Sequence, residues 1–106
     1  MAHTDVVPVE KEALGKWTVP PYSGATKDGY IWGRGALDDK LCAIGFLEAA
    51  ELLIKSDYQP ERGIYFALGH DEELNGGKMG HQFIVSHLQK KGIQLEYVLD
   101  LSLIHI

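Results

Sequence analysis

The chain has 106 residues, 45% of them apolar, enough for one small domain with a core. Fifteen acidic against ten basic residues leave a formal charge of −5, which argues against a nucleic-acid partner, since phosphate binding needs clustered Lys and Arg. No run approaches the roughly 18 apolar residues of a membrane span, and the single cysteine, Cys42, excludes an internal disulfide.

In chain order, His3-Thr4-Asp5 comes first. In an extended segment residues two apart share a face, so this imidazole and carboxylate point the same way. A metal-binding histidine commonly needs an acidic or carbonyl partner to fix its tautomer, yet a surface histidine beside a turn is the better reading of this motif alone. Residues 6–29 are rich in Pro and Gly and read as a long surface loop, a feature that is often functional. Tyr30-Ile31-Trp32 reads as a short strand that ends at Gly33-Arg34-Gly35. Arg34 is read as shaping this turn rather than as a substrate residue.

From about residue 39 to 55, Leu41, Ile44, Leu47, Ala50 and Ile54 recur at helical spacing. Phe46, Leu52 and Leu53 widen that stripe, which predicts a helix packed on a sheet. Cys42 lies among Leu41, Ala43 and Ile44 and reads as a buried structural thiol. Residues 63–68 form a continuous apolar run, as expected of a strand buried on both faces. A second helix is predicted over 77–91, with Gly92 as its cap, and residues 94–99 read as another strand.

The order β, α, β, α, β predicts an α/β layer with parallel strands. In such sheets ligands gather at the carboxyl ends of the strands. His3, Asp38, Glu72, Glu73 and Asp100 would each fall at or just beyond such an end. Each has a plainer reading: Asp38 as a helix cap with Asp39 in the first turn, and His70-Asp71-Glu72-Glu73 as a solvated loop. His81 and His87 read as surface residues of a helix, and His70 as loop support. Together, however, several carboxylates and one histidine on a single rim would repel one another without cations between them. Two metals roughly 3.5–4 Å apart that share a carboxylate are a known arrangement for hydrolysis. His and carboxylates without Cys suit zinc, with cobalt or manganese as alternatives. A further carboxylate can then serve as general base.

An ordered set of motifs adds a resemblance. It comprises His3 to Pro8, Trp17 with Pro20-Pro21-Tyr22-Ser23-Gly24, Gly29 to Lys40, and Gly69-His70-Asp71-Glu72-Glu73. Over residues 2–100 the chain resembles the dizinc metallopeptidase family of aminoacylase-1, glutamate carboxypeptidase, acetylornithine deacetylase and succinyl-diaminopimelate desuccinylase. Within it, the chain most resembles the branch of carboxypeptidase S and N-fatty-acyl-amino-acid synthase/hydrolase.

The resemblance implies part of a three-layer α/β zinc-peptidase catalytic domain over residues 1–100, with mainly parallel strands, and an unmatched tail at 101–106. It implies that His3 binds one zinc and Asp5 orients it, that Asp38 bridges two zincs, that Glu72 is the general base, and that Glu73 is a ligand of the other zinc. Asp100 falls where the family places a further carboxylate ligand, and the Asp38–Asp39 peptide is expected to be cis. Relatives have an earlier strand, a far downstream histidine and a lid domain with dimer contacts, none of which is expected in these residues; His105 is a poor substitute for that histidine. The implied activity is zinc-dependent release of an amino acid from an N-acyl or peptidyl group, by a parent that forms a homodimer. The other expectation is a non-catalytic fragment that binds at most one metal weakly. Cytosolic, vacuolar or lysosomal, and secreted settings are all open.

Overall fold

The computed structural model describes residues 1–100. Among these residues, two short sheets and three α-helices make up a mixed α/β arrangement. Strand β1 (Ala2–His3) pairs in parallel with β4 (Leu68–Gly69), with Ala2 opposite Leu68 and His3 opposite Gly69. The ladder continues past the strand ends, where Ala67 O accepts from Ala2 N–H at 3.0 Å and Gly69 O accepts from Thr4 N–H at 2.9 Å. Because both strands run the same way, the segments after His3 and after Gly69 leave from one edge. That edge carries the acidic motifs.

Residues 6–29, expected as a plain loop, contain a 3₁₀ helix (Lys11–Lys16) and strand β2 (Ala25–Lys27). β2 forms an antiparallel hairpin with β3 (Tyr30–Trp32), so the expected strand at Tyr30 is present but not parallel. After it, Ala36–Lys40 is an irregular wide turn in which Asp38 and Asp39 have non-helical dihedrals. Gly35 opens this turn at φ +79°, and a Cβ there would lie 2.2 Å from Val6 Cγ1. Only glycine accepts both the left-handed backbone and that approach.

Helix α1 spans Leu41–Lys55. Its inward face is Cys42, Ala43, Phe46 and Ala50, whereas Leu41, Ile44, Leu47 and Ile54 of the expected stripe are exposed. The helix is apolar nearly all round, so periodicity could not select the buried side. Cys42 is half-buried, and burial, followed by its hydrogen bond with Asp39, pushes its thiol pKa up, away from thiolate chemistry.

The apolar run at 63–68 meets β1 only at its end, through Ala67 O and Leu68, and Ile64, Tyr65 and Phe66 are exposed. No strand forms at 94–99. Strand character needs a neighbour to bond, and β1 offers only two paired positions. Helix α2 is the single turn Glu72–Asn75, and α3 covers His81–Lys90, shorter than the helix expected over 77–91. Gly92, at φ +69°, closes α3: its N–H bonds to Gln89 O and that of Ile93 to Leu88 O, the paired pattern of a glycine-capped helix end. Ala2 and Ala43 are the buried hydrophobic side chains among the described residues.

Candidate metal centre

The site assembles from three places in the chain. Strand β1 delivers His3, which is buried and has its backbone N–H bonded to Asp39 Oδ2 at 3.1 Å. Asp39 is itself 2% exposed, and its other oxygen, Oδ1, has no hydrogen-bond partner. The wide turn before α1 presents Asp38, across a cis Asp38–Asp39 peptide bond. Helix α1 begins only at Leu41, its N-cap position is Lys40, and no side chain caps its first backbone N–H groups, so the capping reading of Asp38 and Asp39 does not hold. The edge after β4 contributes Glu72 and Glu73 from the start of α2.

The His3 ring is held on one side and free for chemistry on the other. Its Nδ1 lies 3.1 Å from the Asp5 carbonyl oxygen and 3.4 Å from Asp5 Oδ1. A proton on Nδ1 therefore directs Nε2 toward the acidic rim, where Asp38 Oδ1 is 3.0 Å away and Glu72 Oε2 3.8 Å away. Burial alone would lower the His3 pKa, but hydrogen bonding to Asp38 and to the Asp5 backbone outweighs it and holds the ring above its ordinary value. Asp5 Oδ2 accepts the Glu73 N–H at 3.0 Å, tying the first motif to the last. Its pKa is lowered: burial opposes this, while the backbone N–H groups of Glu73 and Glu72 prevail. The Glu73 carboxyl is pushed up, first by burial and then by the charges of Asp38 and Glu72.

The donor atoms of His3, Asp38 and Glu73 all lie within 4.8 Å of one another, the one such group among the described residues. One imidazole and two carboxylates form a borderline-hard donor set that suits a divalent ion such as zinc. The repulsion that raises Glu73 is what a cation would relieve, so these residues fit a metal. Glu72 is half-exposed beside the group, while Asp100 is exposed and stands outside it. The expected gathering of five candidate residues is thus four in space. His105 lies outside the described residues.

Sequence reading missed three supports. Asp71 is buried, and its carboxylate accepts the N–H groups of Met79 at 2.7 Å and Gly80 at 2.8 Å, which clamps the loop after α2. His81, expected on the surface, is half-buried with Nε2 2.8 Å from Ala2 O and 3.1 Å from Gly69 N, braced against the β1–β4 ladder. Lys40 Nζ donates to Thr4 O at 2.9 Å. His70 and His87 are exposed. None of the three supports had a local signal, because each partner lies far away in sequence or across a glycine turn.

A model of the peptidase family M20/M25/M40 matches residues 1–105. The chain belongs to that family. It is 53% identical over 100 residues to the N-fatty-acyl-amino acid synthase/hydrolase PM20D1 of Xenopus tropicalis, covering 94% of this chain and 19% of the relative. The human protein of that name is 48% identical over the same shares. Probable carboxypeptidase S-like 2 of Dictyostelium discoideum is 48% identical over 92% of this chain and 18% of its own length. The chain thus spans about a fifth of the curated relatives it matches. No solved structure matches it. Among the described residues, no helix is long and apolar enough to cross a membrane.

Proposed function

We propose that this chain is part of a metal-dependent hydrolase that cleaves an amide or peptide bond and releases an amino acid from an N-acyl or peptidyl group. The observation that carries this reading is the convergence of His3, Asp38 and Glu73 within 4.8 Å, with the Glu72 carboxylate alongside. Zinc held by these three residues, or cobalt or manganese in its place, would supply Lewis acidity toward water and the amide carbonyl. Asp5 and its carbonyl keep the His3 ring in the tautomer that aims Nε2 at the rim. Glu72 ligates nothing in this scheme: it takes a proton from the attacking water as the new C–O bond forms, then returns it to the amine nitrogen as the C–N bond breaks. Asp38 would bridge to a second ion, and Asp100 enters only as a ligand of that ion.

The exposed apolar side chains of α1 and of residues 64–66 support a catalytic layer completed by further strands. A lid domain with dimer contacts would complete the binding site. The names of the relatives agree with amino-acid conjugates or peptides as substrates. A second reading applies to this chain by itself: three converging donors amount to one ion, so alone it would hold one metal without turnover.

The test is Glu72→Gln in the full enzyme that carries this segment, assayed on N-acyl amino acids with metal content measured in parallel. Expected are an unchanged zinc content and a rate lowered about 10²–10⁴-fold, the usual contribution of a positioned acid–base group. An undiminished rate would sink the assignment of Glu72.

A further inference from the structure

Helix α3 starts at His81, and this first residue reaches back into the sheet that carries the metal centre. Its ring Nε2 lies 2.8 Å from the Ala2 carbonyl oxygen and 3.1 Å from the Gly69 nitrogen. Both partners belong to the β1–β4 ladder, and Ala2 is joined directly to His3. The ring fits there because residue 69 has no side chain: a Cβ at Gly69 would fall 2.7 Å from His81 Nε2. The residue before His81 is held as well, since Gly80 N–H donates to Asp71 Oδ1 at 2.8 Å. A Cβ at Gly80 would lie 2.6 Å from that same oxygen. Asp71 in turn directly precedes Glu72 and Glu73.

The two contacts of Nε2 are not both hydrogen bonds, because one ring nitrogen either donates or accepts. A lone pair facing a carbonyl oxygen at 2.8 Å would be repelled, so the closer contact requires a proton on Nε2. The Gly69 N–H is served without the ring. In the parallel register that sets Ala2 opposite Leu68 and His3 opposite Gly69, it points at the Ala2 oxygen. That oxygen has two lone pairs and takes both donors. His81 is therefore an Nε2–H tautomer whose bond ends on the peptide group between Ala2 and His3.

We propose that His81 is a positioning residue for the metal centre, fixing the strand that delivers His3 against the turn that delivers Glu72 and Glu73. This rests on the metal-dependent reading given above. The Gly80–His81 pair grips one arm of the site with each residue, Asp71 through the Gly80 N–H and Ala2 through the His81 ring. A bond to the carbonyl just before His3 limits how far that residue can slide or tilt along the ladder. Metal ligands need that restraint, since they must be held within about 0.5 Å of the productive geometry.

The test uses the full enzyme that carries this segment, with two variants. His81→Phe keeps a ring but has no donor, whereas His81→Gln offers an amide N–H of comparable reach. Zinc affinity is measured by chelator competition, and the geometry of the site by the visible spectrum of the cobalt-loaded protein, at a temperature where every variant is folded. Expected for His81→Phe are zinc binding at least about tenfold weaker, the usual effect of losing a group that orients a ligand, and an altered cobalt spectrum. His81→Gln should return the affinity to within about threefold of the unmodified protein and restore the spectrum. Nitrogen NMR of histidine-labelled protein, with the His81 signals identified by their loss in His81→Gln, should show the proton on Nε2. Unchanged zinc affinity in His81→Phe, equal impairment of the two variants, or a proton on Nδ1 alone would each overturn the proposal. Should His81→Phe fail to fold, His81→Gln and the tautomer decide the matter. Failure of the metal reading shows differently, as zinc binding that is the same in His3→Ala as in the unmodified protein.

Discussion

Replacing Asp71 with alanine probes the support beneath the acidic motif. The Asp71 carboxylate is 7% exposed and receives two backbone N–H groups, from Met79 at 2.7 Å and Gly80 at 2.8 Å. Hydrogen bonds to a charged acceptor contribute about 1.5–3 kcal/mol each. Alanine removes both acceptors, and the Gly80 N–H is left buried. Met79 is exposed and its N–H can turn to water, which recovers part of the loss. The expected destabilisation is about 3–5 kcal/mol, large against the 5–15 kcal/mol of an ordinary domain. Asparagine is the sharper variant: its single oxygen satisfies one N–H, but its amino group faces the other, so it should recover little. Urea unfolding of the metal-loaded protein, followed by far-ultraviolet circular dichroism, gives both values. A loss below about 1 kcal/mol for Asp71→Ala, or full stability in Asp71→Asn, would refute the clamp.

Gly35→Ala should be costly for two separate reasons. The left-handed backbone at φ +79° costs about 1–2 kcal/mol, and displacing Val6 adds about 1–3 kcal/mol of overpacking. A lower urea midpoint together with weaker zinc binding is expected, because this turn presents Asp38; an unchanged midpoint would contradict the geometry. Zinc affinity should also rise with pH. Despite burial, the Asp38 hydrogen bond holds the His3 pKa above its ordinary value, so the metal-free ring holds its second proton to higher pH than a free imidazole, and a metal must compete with it. Glu73 is raised as well, through burial and then Asp38 and Glu72, and adds to the competition at lower pH. Chelator competition between pH 6 and 8 should show tightening that levels off once His3 has lost its proton; affinity that is flat or falls with pH would count against His3 as a ligand.

Much of the site was legible because its chemistry is local in sequence. His3 and Asp5 are two residues apart, Glu72 and Glu73 adjacent, and Asp38 lies just beyond a glycine turn, so pattern alone exposed them. Both long helices were legible too, α1 almost to the residue, though not its buried side, since an all-round apolar helix offers no contrast. Strands were read less well. Residues 64–66 and 94–99 have β-favouring composition, but a strand exists only with a partner, and pairing depends on chain far away. The same reason hid the supporting contacts of Asp71 and His81 and the placing of Arg34 over the Trp17 ring, whose partners are set by turns and crossings rather than by spacing.

The parallel pairing of Ala2–His3 with Leu68–Gly69 places donors from positions 3, 38 and 73 on one rim. Those positions divide the chain into two loops of 35 residues each (38 − 3 and 73 − 38). An ion shared by all three donors would therefore be a cross-link as well as a cofactor. In the chain-entropy account of cross-links, closing a loop of that length removes about 4 kcal/mol of unfolded-state freedom. Loss of the ion would then release both loops together.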